Sequence, residues 1–223
     1  MKHWPAIFIY ALIASDSEHG DEWKCPHASV VVHSTDSDDA DAACRAARKA
    51  VKFLATQGLD TTGSIEVRLV TALPMPCLQS SFGCFDQPNR RVHMLLLSEC
   101  LKMRTWVELP LNPDLCESFL THEVAHVVAA GNFTAPKPST LAQEYVANVT
   151  MVSTMSPRQQ ERLLEQLPGR GFDSADQMST TYYQIDPARF SAEVYRHFIK
   201  PGNGKVFLQN VLSGMALNNE GNP

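Results

Sequence analysis

Positive charge is sparse in this chain of 223 residues. Nineteen lysines and arginines stand against 24 aspartates and glutamates, for a formal net charge of −5. No run of basic residues could track a phosphate backbone, which argues against a nucleic-acid binder. No apolar stretch reaches the roughly 20 residues that a membrane-spanning helix needs. No C-x-x-C pair suggests a thiolate metal site or a redox motif. Internal repeats, low-complexity segments and long linkers are also missing. A 44% hydrophobic content is enough to bury a core, and the length suits one domain.

The two ends of that domain differ in kind. Met1-Lys2-His3 is a short basic start, and Trp4 to Ala14 (W-P-A-I-F-I-Y-A-L-I-A) is an apolar run of 11 residues. Small and acidic residues follow from Ser15 to Glu18. This reads as a signal peptide over residues 1–15, leaving 16–223 as one mature domain without stable membrane insertion. The other reading is an N-terminal strand or a buried helix start. Six cysteines, all after the expected cleavage point, fit three disulfides in an oxidising compartment, so a secreted or periplasmic protein is expected. Their number allows 15 pairings. Cys77 and Cys84 flank a short loop and are the best local pair.

Residues 25–100 read as sheet-rich. Ala28–His33 and Ile65–Thr71 are β-branched or alternating runs, and Ser37-Asp38-Asp39 can cap a helix that stops near Gly58. Ser81–Phe85 and Arg91–Leu97 flank Q-P-N-R and read as a hairpin. Residues 113–217 read as helical, with starts at Pro113, Ser139, Ser156 and Asp186-Pro187 and a last helix over Lys205–Leu217. The expected class is α+β: a small mixed sheet with one helix, followed by a helical half.

The first helix of that half carries T-H-E-V-A-H, Thr121 to His126. On a helix, residues i and i+4 share a face, so His122 and His126 can turn their ring nitrogens toward one ion. Glu123 is rotated by about 100° from His122, which suits a general base acting on a metal-activated water. The helix is otherwise apolar, and burying these groups without partners would be costly. The alternative is a helix with two solvent-facing histidines. A third ligand is needed, with one position left open. The metzincin extension would require Gly and His where Ala129 and Asn132 stand. On the next helix, Glu144 lies in an apolar neighbourhood and is the better candidate. Asn148, one turn on, could orient a histidine as an outer partner. His3, His19, His27, His33 and His93 are scattered and expected to bind nothing. N-F-T at Asn132 and N-V-T at Asn148 match the glycosylation sequon.

T-H-E-V-A-H followed by Q-E-Y-V-A resembles the gluzincin branch of zinc metallopeptidases, over roughly Ser118 to Val149. The compact size is similar to that of peptidase-MA-like proteins and small bacterial zincin families. The resemblance implies a zincin-like fold with Zn2+ on His122, His126 and Glu144, and with Glu123 as catalytic base. It implies hydrolysis of a peptide or protein substrate bound extended along a sheet-edge strand, here Arg91–Leu97. It also implies an oxyanion-stabilising Tyr or His, for which Tyr182, Tyr183, Tyr195 and His197 compete. Two other functions stay open: an inactive binding protein that keeps the zincin fold, and a disulfide-stabilised extracytoplasmic protein with a coincidental motif.

Overall fold

A computed structural model describes residues 20–77 and 80–218. The expected signal peptide, His3 and His19 lie outside them. The described chain is α+β, with a five-stranded mixed sheet backed by helices. The strands are β1 (Asp21–Lys24), β2 (Val30–Ser34), β3 (Ile65–Val70), β4 (Gly83–Asp86) and β5 (Arg91–Leu95), in the order β1-β2-β3-β5-β4. β2, β3 and β5 are parallel, and β1 and β4 run antiparallel at the two edges. The expected edge strand is therefore corrected. β5 is paired on both sides, and its hairpin partner β4 forms the edge. A sequence pattern fixes the hairpin but not which arm reaches inward, and the parallel pairing with β3 decides it.

Alternation sets one face of the sheet inward. Val30, Val32, Ile65 and Val67 are buried under α1 (Ser37–Thr56), and Val92 of β5 is buried on the same face. Asp36, rather than Ser37, caps α1 by accepting from the Asp38 and Asp39 amides at 2.8 and 2.9 Å, worth about 1 kcal/mol. Alanines at 40, 43, 46, 47 and 50 form its buried stripe, and their small size lets the helix lie close to its neighbours. α2 (Leu97–Lys102) and a small β6–β7 hairpin (Thr105–Trp106, Leu109–Pro110) follow the sheet.

α3 (Pro113–Ala130) carries the H-E-V-A-H motif through the centre of the molecule. Asn112 caps it, Pro113 opens it and Gly131 closes it. Its buried residues cover most of its circumference, as a helix packed on several sides requires. α4 (Thr140–Thr154), capped by Ser139, packs against it and is itself largely buried. α5 (Pro157–Gln166), α6 (Thr180–Ile185), α7 (Pro187–Phe198) and α8 (Gly204–Ser213) complete the chain. α8 ends earlier than expected because Gly214 turns left-handed at φ +79°.

All six cysteines pair: Cys25–Cys44, Cys77–Cys84 and Cys100–Cys116. The expected local pair, Cys77–Cys84, is among them. Among the described residues, no helix is long and apolar enough to cross a membrane.

Candidate metal centre

His122 and His126 sit one turn apart on α3 and turn their rings to a common point. Their Nε2 atoms are 3.0 Å apart. Glu144 of α4 faces both, with Oε2 3.4 Å from His122 and Oε1 3.5 Å from His126. These three donors could hold a metal ion. A tetrahedral ion with bonds of about 2.0–2.1 Å places its donors about 3.3 Å apart. The observed separations bracket that value. An octahedral ion with similar bonds would ask for about 2.9–3.0 Å between neighbouring donors. The set of two imidazoles and one carboxylate would suit zinc, and His122 and Glu123 line the adjoining cleft.

The electrostatics favour the ligand forms at two positions. Burial holds the His126 cation down, to a pKa of about 4. Burial works against the Glu144 anion, but the two imidazoles outweigh it and keep its pKa at about 2. His122 differs. Burial again opposes its cation, yet the hydrogen bond and charge of Glu144 outweigh burial and raise it. Glu123 is the remaining carboxyl, half-buried beside the three donors. Burial pushes it up to about 7, and the Phe85 backbone N–H donates to it. A carboxyl poised near neutrality can both take and give a proton at neutral pH.

Glu144 is held from outside as well. The Asn148 Nδ2 donates to Glu144 Oε2 at 3.2 Å, and Asn148 Oδ1 accepts from Ser191 of α7. Asn148 thus steadies the carboxylate rather than a histidine, because one helical turn brings it back to its own helix's Glu144. The Tyr183 hydroxyl donates to the same carboxylate, and burial, followed by the Glu144 charge and this hydrogen bond, raises the tyrosine's pKa.

Of the four ring residues expected to compete, only Tyr183 of α6 lines the cleft. Tyr182 packs on Phe172 and Phe190. Tyr195 bonds to Gln160. His197 is buried, with Nδ1 2.9 Å from the Tyr145 hydroxyl. Neither sequon asparagine has a free amide. Asn148 is buried, and Asn132 Nδ2 donates to Asp60 O at 2.8 Å.

The edge strand passes beside Glu123. A Cβ on Gly83 would lie 3.3 Å from Glu123 Cγ and 2.8 Å from the His93 carbonyl oxygen, so glycine is what permits the approach. The Leu95 amide bonds to Phe82 O, so antiparallel alternation turns the backbone groups of Gly83 and Phe85 away from β5. Sequence reasoning missed Gly83, Ser191, Phe82 and Trp106. Only Phe119, four residues before Glu123 on the same helix, carried a spacing that could have revealed it as part of the cleft.

Residues 30–220 match the family described as "Family of unknown function (DUF6639)". The chain belongs to this family. The match spans β2 to β5, α3, α4 and every residue of the centre. No curated protein and no solved structure matches the chain.

Proposed function

We propose that this DUF6639 member is an extracytoplasmic zinc metallopeptidase of zincin-like fold. One observation carries the reading: the donors of His122, His126 and Glu144 converge at near-tetrahedral spacing beside Glu123, a half-buried carboxyl, on the wall of an open cleft. The antiparallel edge strand beside it, with backbone groups turned outward, suits a peptide added as a further strand. The three disulfides support an oxidising compartment and hence export.

Zinc in that site would supply a Lewis acid that makes a water acidic near neutral pH and polarises a carbonyl. The outward backbone groups of Gly83 and the Phe85 carbonyl hold the peptide extended, while the Phe85 N–H stays on Glu123. Glu123 takes a proton from the attacking water as its oxygen bonds to the carbonyl carbon. Glu123 then delivers that proton to the nitrogen as the C–N bond breaks, leaving an acid and an amine. Tyr183, which lines the cleft, would turn its hydroxyl from Glu144 to donate to the carbonyl oxygen as charge builds there. Asn148 and Ser191 keep Glu144 in place throughout.

The test compares zinc-loaded wild type with Glu123→Gln on a denatured protein substrate. The variant should keep its zinc and lose cleavage by about a hundredfold or more. Equal cleavage by both would remove Glu123 from the role and the peptidase reading with it.

A further inference from the structure

Three aromatic side chains gather one helical turn from Glu123. Phe119 precedes it by four residues on α3 and shares its face. The Phe82 ring, just before β4, stacks on Phe119 at 4.2 Å, and Trp106 meets Phe119 edge-on at 5.1 Å. Met151 of α4 joins them on the wall of a cleft of about 330 Å³. Phe82 and Phe119 are buried, whereas Trp106 is only partly so, which leaves ring surface facing the cleft. The β6–β7 hairpin delivers Trp106 to this place. Arg104 and Val107, on either side of its strand, take left-handed backbone at φ +65° and +56°, a conformation that a branched residue such as valine avoids.

The rest of the lining carries no formal charge outside the centre itself, among the described residues. Ser80, Ser81 and Gln184 are its polar members. Nothing there pairs with the carboxylate or ammonium of a chain end, and a desolvated end without a partner is costly. A bulky apolar side chain, by contrast, gains from burial and from ring contact.

We propose that this aromatic wall selects a bulky apolar residue, aromatic foremost, beside the cleaved bond of an internal peptide segment. The enzyme is then an endopeptidase of extended apolar segments, an inference that rests on the metallopeptidase reading. The experiment uses short peptides, acetylated and amidated at their ends, that differ only in a central Phe, Ala, Lys or Asp. Cleavage is followed with zinc-loaded wild type, Trp106→Ala and Trp106→Phe. Binding is followed by calorimetry with Glu123→Gln, alone and combined with Trp106→Ala.

The wild type should prefer Phe over Ala by about tenfold or more in kcat/KM. Trp106→Ala should shrink that ratio to about threefold or less, and Trp106→Phe should restore most of it. The binding preference of Glu123→Gln should shrink in the same way. A preference for Lys or Asp, or cleavage only of peptides with free ends, would overturn the proposal while leaving the peptidase reading intact. If nothing is cleaved but the Phe peptide binds preferentially and depends on Trp106, the subsite stands and the peptidase reading fails. Neither cleavage nor preferential binding would overturn both.

Discussion

Asn148 does its work through Glu144. Its amide donates to the carboxylate at 3.2 Å and is itself fixed by Ser191. Removing such an outer partner usually weakens metal affinity by about 10–100-fold. Asn148→Ala should therefore lose zinc in that range while keeping its helical circular dichroism, as competition with a chromophoric chelator would measure. Affinity equal to wild type would make Asn148 a bystander. Gly83→Ala tests the close approach of the edge strand. Its Cβ would sit 2.7 Å from Met94 Sδ and 2.8 Å from the His93 carbonyl oxygen, so backbone must shift. A cost of about 1–3 kcal/mol in urea unfolding is expected; an unchanged midpoint would mean the strand yields freely. At this scale the sequence was informative where helical spacing links residues. His122, Glu123 and His126 are bound by the i, i+4 rule, and Glu144 stood out as a charge among apolar neighbours. Tyr183 could not be told from Tyr182, Tyr195 and His197, because only tertiary packing decides which ring enters the cleft.

α4 and α7 are joined at a second buried contact away from the cleft. The Tyr145 hydroxyl meets His197 Nδ1, and both side chains are buried. Burial, helped by the charge of Lys200, lowers the His197 pKa to about 4, against an ordinary value of about 6.5. Between those values the unfolded chain binds a proton that the folded chain refuses. Stability is then complete above the ordinary value and falls as pH drops toward 4. Urea unfolding at a series of pH values should show this fall in wild type and a shallower one in His197→Gln. Identical slopes would place the acid sensitivity elsewhere. The elements themselves were legible where caps announce them. Pro113, Ser139, Ser156 and Gly131 mark starts and stops that the structure keeps. β1 was missed because D-E-W-K has no apolar alternation, and α6 because six residues are too few for a period. The edge strand was misplaced because sheet order depends on long-range pairing that no local pattern records.

Across the whole molecule, a metal at the centre and the disulfides would act on different joints. Cys25–Cys44 ties the segment after β1 to α1, and Cys100–Cys116 ties α2 to the start of α3. A metal on His122, His126 and Glu144 would tie α3 to α4, which no disulfide joins. Free zinc at about 100 times its dissociation constant stabilises by roughly 2.7 kcal/mol, or about 5–10 °C in Tm for a chain of this size. Calorimetry of the oxidised protein, with zinc and after chelation, should show that shift, and His126→Ala should show none of it. A shift that persists in His126→Ala would place the stabilising ion elsewhere. The measurement that bears most directly on the centre is the zinc content of purified wild type beside His126→Ala and Glu144→Ala. About one zinc per chain is expected in wild type, lost or strongly weakened in both variants. Zinc retained at full affinity by Glu144→Ala, or no zinc in wild type even when it is supplied, would contradict the metal centre and reopen the function.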